Sequence, residues 1–402
     1  MSFEVRSHTI PATHIREYAA ATAAEDDILY LAVKQYVPRD ACPRGHLPIT
    51  IIGAHANAFP KELYEPLWED LSNELLVRGI WISTIFIADA AHQGESGVLN
   101  DGKLGNDPSW MDNPRDLFLM VNHFRTEMVR PIIGIGHSMG GNNLVNLSLM
   151  HPRLFAGLIL IDPVIQRWPN AGNFAPAQLS IRRRDRWPSR KAAETAFRKS
   201  PFYQAWDPRV FDRWVKYGLR ELPTALYPVP ATEGEVTLTT TKHQEVLTFL
   251  RLRQDRNEAE IDEATPTNSA PFYRPESVNT FLNLPHLRPN AFYIYGGESA
   301  LSTPASQSNQ LSATGTGIGG SGGVARGRVK HVTFSDLGHM IPMEAVDRTA
   351  KACADWLGLE LKWWHAEKKI QDERRASNQN KSTASEEYVR LLNSDWQGKT
   401  KL

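Results

Sequence analysis

The chain has 402 residues, 41% of them hydrophobic, enough for one large core with an insertion or for two domains. Lys plus Arg and Asp plus Glu balance at 45 each, so no global field favours nucleic acid or an anionic membrane surface. Only Cys42 and Cys353 occur, no apolar run approaches the ~18 residues of a membrane span, and residues 1–11 lack the basic-then-apolar pattern of a secretory leader. These features exclude a disulfide framework and stable membrane insertion, and the expectation is a soluble intracellular protein.

In chain order, residues 3–9 and 28–37 read as strands, the second closed by Pro38. Another runs from Pro48 to His55. Apolar spacing predicts a helix over 63–77, and Gly79 releases the chain into a strand over 80–88. A polar, glycine-rich loop over 89–112 precedes a helix over 114–128. A strand over 131–135, a helix over 141–150 and a strand over 156–161 follow. Strands alternating with helices at this spacing specify a mostly parallel sheet covered on both faces. The alternation stops at Pro163. From there to Arg288 the chain is rich in Trp, Arg and Pro, with helical pieces at 189–200, 208–219 and 242–253, and reads as a largely helical cap over 164–289. Strands over 290–295 and 328–334 resume the sheet. Between them, residues 302–327 are low in complexity and centre on the glycine run 315–323, whose composition reads as a flexible linker. A helix over 343–357 closes the core, and the charged tail from 359 predicts helices over 360–375 and 384–393. The domain reading is core over 1–163 and 290–358, cap over 164–289, and tail over 359–402.

The stretch Pro131-Ile-Ile-Gly-Ile-Gly-His-Ser-Met-Gly-Gly-Asn-Asn-Leu144 carries the chemistry. It places Gly-x-Ser-x-Gly between a strand and a helix, the context of a nucleophile elbow. Gly136 and Gly140 let strand and helix approach closely, and the Ser138 hydroxyl then stands clear of the sheet. A serine hydroxyl needs a base to take its proton and a carboxylate to orient that base. In a sheet with such an elbow the order is Ser, acid, His. Of the 13 histidines, only His339 directly follows the last strand. For the acid, the loop after the penultimate strand offers Glu298, with Ser299 where an aspartate is expected. The strand after the elbow ends at Asp162-Pro163. A lone carboxylate there is costly without a charged partner, which favours Asp162 over Glu298, with Asp336 third.

An oxyanion hole needs two backbone N–H groups. Met139 supplies one by position, and Asn57, in the loop His55-Ala56-Asn57 with alanine in place of a glycine, is the best second. His55, Ala56, Trp110 and Asp112 are the candidate substrate-binding residues. Arg182, Arg183 and Arg184 could grip a phosphorylated group, against the plainer reading of a solvated basic face. No metal site and no cofactor are expected, since the glycine run matches neither a Walker nor a dinucleotide fingerprint.

Taken together, the elbow, Lys61-Glu-Leu-Tyr-Glu-Pro-Leu-Trp68, Leu104-Gly-Asn-Asp-Pro-Ser-Trp110-Met-Asp, Arg274-Pro-Glu, the run ending at Gly323 and Gly338-His339-Met-Ile-Pro-Met resemble a fungal α/β-hydrolase group of secondary metabolism. Its members include the acyl-CoA hydrolase of the mycophenolic acid pathway and hydrolases of host-selective toxin pathways. The resemblance covers nearly the whole chain. It implies an α/β-hydrolase fold, a triad on Ser138, Asp162 and His339, and a thioesterase-like enzyme acting on acyl-CoA. It also lends weight to Thr400-Lys401-Leu402 as a peroxisomal signal of the Ser-Lys-Leu type.

The functional expectation is therefore a serine hydrolase that cleaves an acyl-CoA thioester through an acyl-enzyme. The alternatives are a lipase or carboxylesterase with the same triad, an acyltransferase or cyclase that intercepts the acyl-enzyme, and a non-catalytic binding protein. The expected partners are a small-molecule acyl-CoA or ester substrate and the peroxisomal import receptor, with no nucleic acid. A homodimer is compatible with the sequence.

Overall fold

The computed structural model describes residues 2–168, 174–252, 272–377 and 382–394. Residues 1–358 form one compact unit and residues 359–402 a second.

An eight-stranded sheet organises the first unit. Its strands are β1 (Phe3–Pro11), β2 (Tyr30–Pro38), β3 (Leu47–Ala54), β4 (Ile80–Ala88), β5 (Ile132–His137), β6 (Phe155–Ile161), β7 (Asn290–Gly296) and β8 (Val329–Phe334). They lie in the order β1-β2-β4-β3-β5-β6-β7-β8. Only β2 runs against the others, pairing antiparallel with β1 and with β4. All remaining pairs are parallel. The central strands β5 and β6 are nearly continuous apolar runs because helices cover both faces. The edge strand β1 keeps its polar residues because only part of it is covered.

Helices α1 (Glu65–Leu76), α2 (Gly94–Leu99), α3 (Asp112–His123) and α4 (Met139–Met150) alternate with these strands. Helix α2 lies in the stretch 89–112 that the sequence reads as loop. At six residues it is too short to show a helical period. Helix α3 stops at His123, short of the expected 128, as Phe124 and Met128 turn into the core.

The cap carries α5 (Phe174–Arg182), α6 (Arg190–Phe197), α7 (Pro201–Gln204), α8 (Pro208–Tyr217), α9 (Lys242–Phe249) and α10 (Pro275–Asn283). It also holds a three-stranded antiparallel sheet of residues 186–187, 236–238 and 219–221, and a two-stranded pair of 251–252 with 272–273. Strands of two or three residues are below the length at which alternation can be read.

The glycine run is knitted into the fold and does not form the flexible linker expected. Helix α11 (Pro304–Ala313) precedes it. The N–H groups of Gly315, Gly317 and Ser321 then donate to the carbonyls of Leu284, Pro285 and Leu287, each at 2.8–2.9 Å. Its glycines serve close approach: a Cβ on Gly320 would stand 2.4 Å from the Pro285 carbonyl oxygen. Helix α12 (Ile341–Glu344) and α13 (Val346–Ser377) follow β8, and α14 (Glu386–Asn393) lies in the tail. Among the described residues no helix is long and apolar enough to cross a membrane. The segment Thr400–Leu402 lies outside the described residues.

Candidate active site

The parallel strands deliver their loops to one edge of the sheet, the carboxyl edge where α/β folds place ligands. At the end of β5, Ser138 adopts φ 57° and ψ −119°, a left-handed conformation that costs about 1–3 kcal/mol for a residue with a side chain. The turn holds because its flanks have no side chains. A Cβ on Gly136 would lie 2.6 Å from the Gly140 carbonyl oxygen, and one on Gly140 2.1 Å from that of Ala54. The Ser138 N–H also donates to Ile161 O at 2.9 Å, which ties the elbow to β6.

His339, in the loop after β8, places Nε2 2.9 Å from Ser138 Oγ and Nδ1 2.6 Å from Asp162 Oδ2. Asp162 also bends the chain at positive φ, 41°, and its N–H donates to Ile294 O. Its carboxylate is fully buried. Burial pushes its pKa up, but the His339 hydrogen bond and charge, with the Ser299 and Ser302 hydroxyls, outweigh burial and hold it below the ordinary aspartate value. An ionised Asp162 fixes Nδ1 as the protonated nitrogen, so the Nε2 lone pair faces the serine hydroxyl. The other two acid candidates stand elsewhere. Glu298 is exposed, and Asp336 forms a two-bond ion pair with Arg348, which lowers its pKa to about 2.

The loop after β3 is gripped on both sides of Asn57. The Ala56 N–H donates to Tyr64 Oη at 2.9 Å and the Ala58 N–H to Gln93 Oε1 at 2.8 Å. The Asn57 N–H between them has no acceptor among the described residues. Met139 is the first residue of α4, so its N–H has no helical acceptor either. The positive φ of the loop falls on Ala58 (68°) and not on Ala56, the alanine that stands in place of a glycine.

The cap closes on this loop. Asn57 Nδ2 donates to Glu245 O in α9 at 3.0 Å, and Asn57 Oδ1 accepts from Gln93 Nε2 at 2.7 Å. Gln93 Nε2 also reaches Thr248 Oγ1 of α9, and Trp110 Nε1 donates to Thr248 O at 2.8 Å. Phe59 packs edge-on against Trp206 and Trp214 of the cap.

Several residues expected at the substrate have other partners. His55 is buried with both ring nitrogens taken: Nδ1 lies 2.8 Å from Ala56 O, and Nε2 accepts from the Ala90 N–H at 2.9 Å. Ala56 has both backbone groups engaged, so neither it nor His55 offers a polar group to substrate. Asp112 accepts from the Glu17 N–H and pairs with Arg16 at 3.3 Å. Burial outweighs that arginine and pushes its pKa up to about 6, and it anchors the N-terminal segment on α3. Trp110 is buried in an apolar cluster with Met139 and Val164, against Leu301, and so borders the elbow. Of the arginine run, Arg183 is paired with Glu245, and only Arg182 and Arg184 are exposed.

The sequence reading missed the supports beneath the site. Lys61 is fully buried among Asp89 (2.7 Å), Glu95 (2.8 Å) and Glu62 (3.1 Å). Burial opposes its charge, but the three carboxylates raise its pKa above the ordinary lysine value. The Lys61 N–H and the Glu95 N–H donate to the same Asp89 carboxylate, which pins the loops after β3 and β4 together. The only hint in the sequence was two charged residues, Lys61 and Glu62, ahead of an apolar helix.

Comparison with known proteins agrees with this architecture. The Hydrolase_4 family, described as serine aminopeptidase S33, matches residues 68–205. The chain is 42% identical over 390 residues to the type I acyl-CoA thioesterase mpaH of Penicillium roqueforti (strain FM164), covering 89% of this chain and 88% of that one. It is 31% identical over 272 residues to the abhydrolase domain-containing protein ACTT2-2 of Alternaria alternata, covering 66% and 99%. Among solved structures, the peroxisomal alpha-beta-hydrolase Lpx1 of Saccharomyces cerevisiae superposes with a TM-score of 0.67 at 17% identity, over 94% of this chain and 99% of that one. The chain belongs to the family of fungal secondary-metabolism α/β-hydrolases that includes the Penicillium acyl-CoA thioesterases, and it is a hydrolase of the α/β-hydrolase fold.

Proposed function

We propose that this enzyme hydrolyses an acyl-CoA thioester through an acyl-enzyme on Ser138. The observation that carries the reading is the Ser138–His339–Asp162 relay, with donor–acceptor distances of 2.9 and 2.6 Å at the carboxyl edge of the sheet. The kinship with proteins named as acyl-CoA thioesterases supports the substrate class.

In this scheme His339 Nε2 takes the Ser138 proton as Oγ attacks the thioester carbonyl carbon. The carbonyl oxygen becomes an oxyanion, stabilised by the N–H groups of Asn57 and Met139. Collapse of the tetrahedral species breaks the C–S bond, and the CoA sulfur leaves with the proton held on His339. A thiol ionises near pH 8.5, far below an alcohol, so expulsion of sulfur needs little help from the acid. Water then repeats the sequence: His339 takes its proton, its oxygen attacks the acyl carbon, and Ser138 is released with a carboxylic acid. Asp162 stabilises the imidazolium in both halves. Trp110, Met139, Val164 and Leu301 supply the apolar wall for the acyl group beside the elbow. The destination is the peroxisome, through the import receptor that reads Thr400-Lys401-Leu402.

The test is a panel of acyl-CoAs and matched simple esters, read by thiol or alcohol release. The reading expects kcat/KM for the best acyl-CoA to exceed that for its simple ester by at least tenfold. Equal values, or a preference for the esters, would make the protein a carboxylesterase instead.

A further inference from the structure

Two loops of the site are joined through the interior by side chains that touch none of the reacting atoms. Ala56 precedes Asn57, and its N–H donates to Tyr64 Oη at 2.9 Å. Tyr64 Oη lies 3.0 Å from His137 Nδ1, and His137 Nε2 lies 2.9 Å from the backbone oxygen of His339. Tyr64 is 2% exposed and His137 0%.

The protons in this chain each have one place to be. A carbonyl oxygen only accepts, so His137 Nε2 carries a hydrogen and donates to His339 O. Burial, with His339 close by, lowers the His137 pKa to about 3, so the ring is neutral and Nδ1 is bare. The Tyr64 hydroxyl therefore donates to Nδ1 while its oxygen accepts from Ala56. Burial raises the phenol pKa, which keeps that hydrogen in place.

The carbonyl of Ala56, in the next peptide along, is fixed as well. His55 Nε2 accepts from the Ala90 N–H, so Nδ1 carries the hydrogen and donates to Ala56 O at 2.8 Å. The Ala56 carbonyl and the Asn57 N–H belong to one planar trans peptide and point in opposite directions. Holding the carbonyl aims the N–H.

We propose that His55, Tyr64 and His137 are positioning residues, which aim the Asn57 N–H at the oxyanion and hold the backbone of His339 at a set distance from it. Their bonds run from the oxyanion loop, behind the elbow, to the loop that carries the base, so the two loops keep register around Ser138. This inference rests on Ser138 as nucleophile and Asn57 as oxyanion donor.

The experiment uses the full-length enzyme, a short p-nitrophenyl ester, and butylboronic acid, whose adduct with a serine bears a negative charge where the oxyanion forms. Tyr64→Phe is nearly isosteric and removes only the hydroxyl. It is expected to lower kcat roughly ten- to hundredfold with KM within about twofold, and to weaken boronate binding by the same factor as kcat. His137→Gln keeps a donor near the Nε2 position and is expected to retain at least about tenfold more activity than His137→Ala. A Tyr64→Phe enzyme with kcat within about twofold of wild type would overturn the proposal. So would a fall in kcat with boronate affinity unchanged, since the loss would then lie outside the oxyanion. If the His137 variants do not fold, Tyr64→Phe decides alone. A Ser138→Ala enzyme that still hydrolysed the ester would instead sink the reading on which the inference rests. A dead Ser138→Ala enzyme beside a wild-type-like Tyr64→Phe enzyme would overturn the inference alone.

Discussion

The Ser299 hydroxyl donates to Asp162 Oδ2 at 2.5 Å, from the position in the loop after β7 where an aspartate was expected. The carboxylate that meets His339 stands instead at the end of β6, and the serine at the expected site hydrogen-bonds to it. Asp162→Asn should lower kcat by roughly 10⁴, because the amide favours the wrong histidine tautomer. Ser299→Ala removes one bond to a buried charge and should cost on the order of tenfold. Glu298→Gln should change kcat by less than about threefold, because that side chain is exposed. Steady-state rates of the three variants on one substrate check the ranking.

The Ser138–His339 contact at 2.9 Å makes a specific statement about additivity. Ser138→Ala and His339→Ala should each cost on the order of 10⁴–10⁶ in kcat, and the double variant little more than either. Labelling by a fluorophosphonate probe should vanish in Ser138→Ala and slow sharply in His339→Ala. Independent, multiplying losses would show that the two side chains do not act as a unit.

Acid should destabilise the fold through two histidines. Burial lowers the pKa of both His92 and His137 to about 3. An unfolded histidine titrates near 6.5, so between pH 6.5 and 3 the unfolded chain binds more protons. Each ring then removes roughly 1.4 kcal/mol of stability per unit fall in pH. Asp112 acts in the opposite sense. Its pKa is raised to about 6, so below that pH the folded state binds the extra proton and gains stability. Melting temperature should therefore fall from pH 6.5 to 4.5. His92→Asn should flatten that slope and Asp112→Asn should steepen it. Thermal denaturation across the range checks all three signs.

Arg182 and Arg184 remain exposed on the cap after Arg183 is claimed by Glu245. If they meet CoA phosphates, changing both to alanine should raise KM for acyl-CoA by about three- to tenfold and spare a short ester. Equal effects on both substrates would mean that they only support the fold.

The terminal tripeptide is tested by localisation. A fluorescent protein fused to the N-terminus, with Leu402 free, should gather in peroxisomal puncta in a fungal host. Deleting Thr400–Leu402 should disperse it. Diffuse signal from the intact fusion would rule out the import proposal.

Much of the core and the Ser–His–Asp relay was legible in the sequence because short local patterns specify them. An apolar run followed by Gly-x-Ser-x-Gly defines the elbow, and a carboxylate closing a buried strand needs a partner. What stayed hidden depends on neighbours far along the chain. His55 looked like a substrate ligand until Ala90 and Ala56 were seen to hold both its nitrogens. Asp112 looked like a substrate contact until Arg16, from the far N-terminal segment, came beside it. The glycine run looked loose because composition does not reveal carbonyls at 284–287 waiting to accept from it. Single-residue chemistry was visible, whereas the partner of a buried polar group was not.

The clasp between Asn57 and helix α9 limits how this enzyme can diversify. In the proposed scheme Asn57 belongs to the machinery of rate, while α9 belongs to the cap, where a new substrate preference would be sought. Because Asn57 Nδ2 is held by Glu245 O, and Gln93 spans from Asn57 Oδ1 to Thr248 Oγ1, any rebuilding of α9 reaches the oxyanion loop. Selectivity and speed are thus not separately adjustable there. A library that randomised α9 would therefore return mostly slow enzymes.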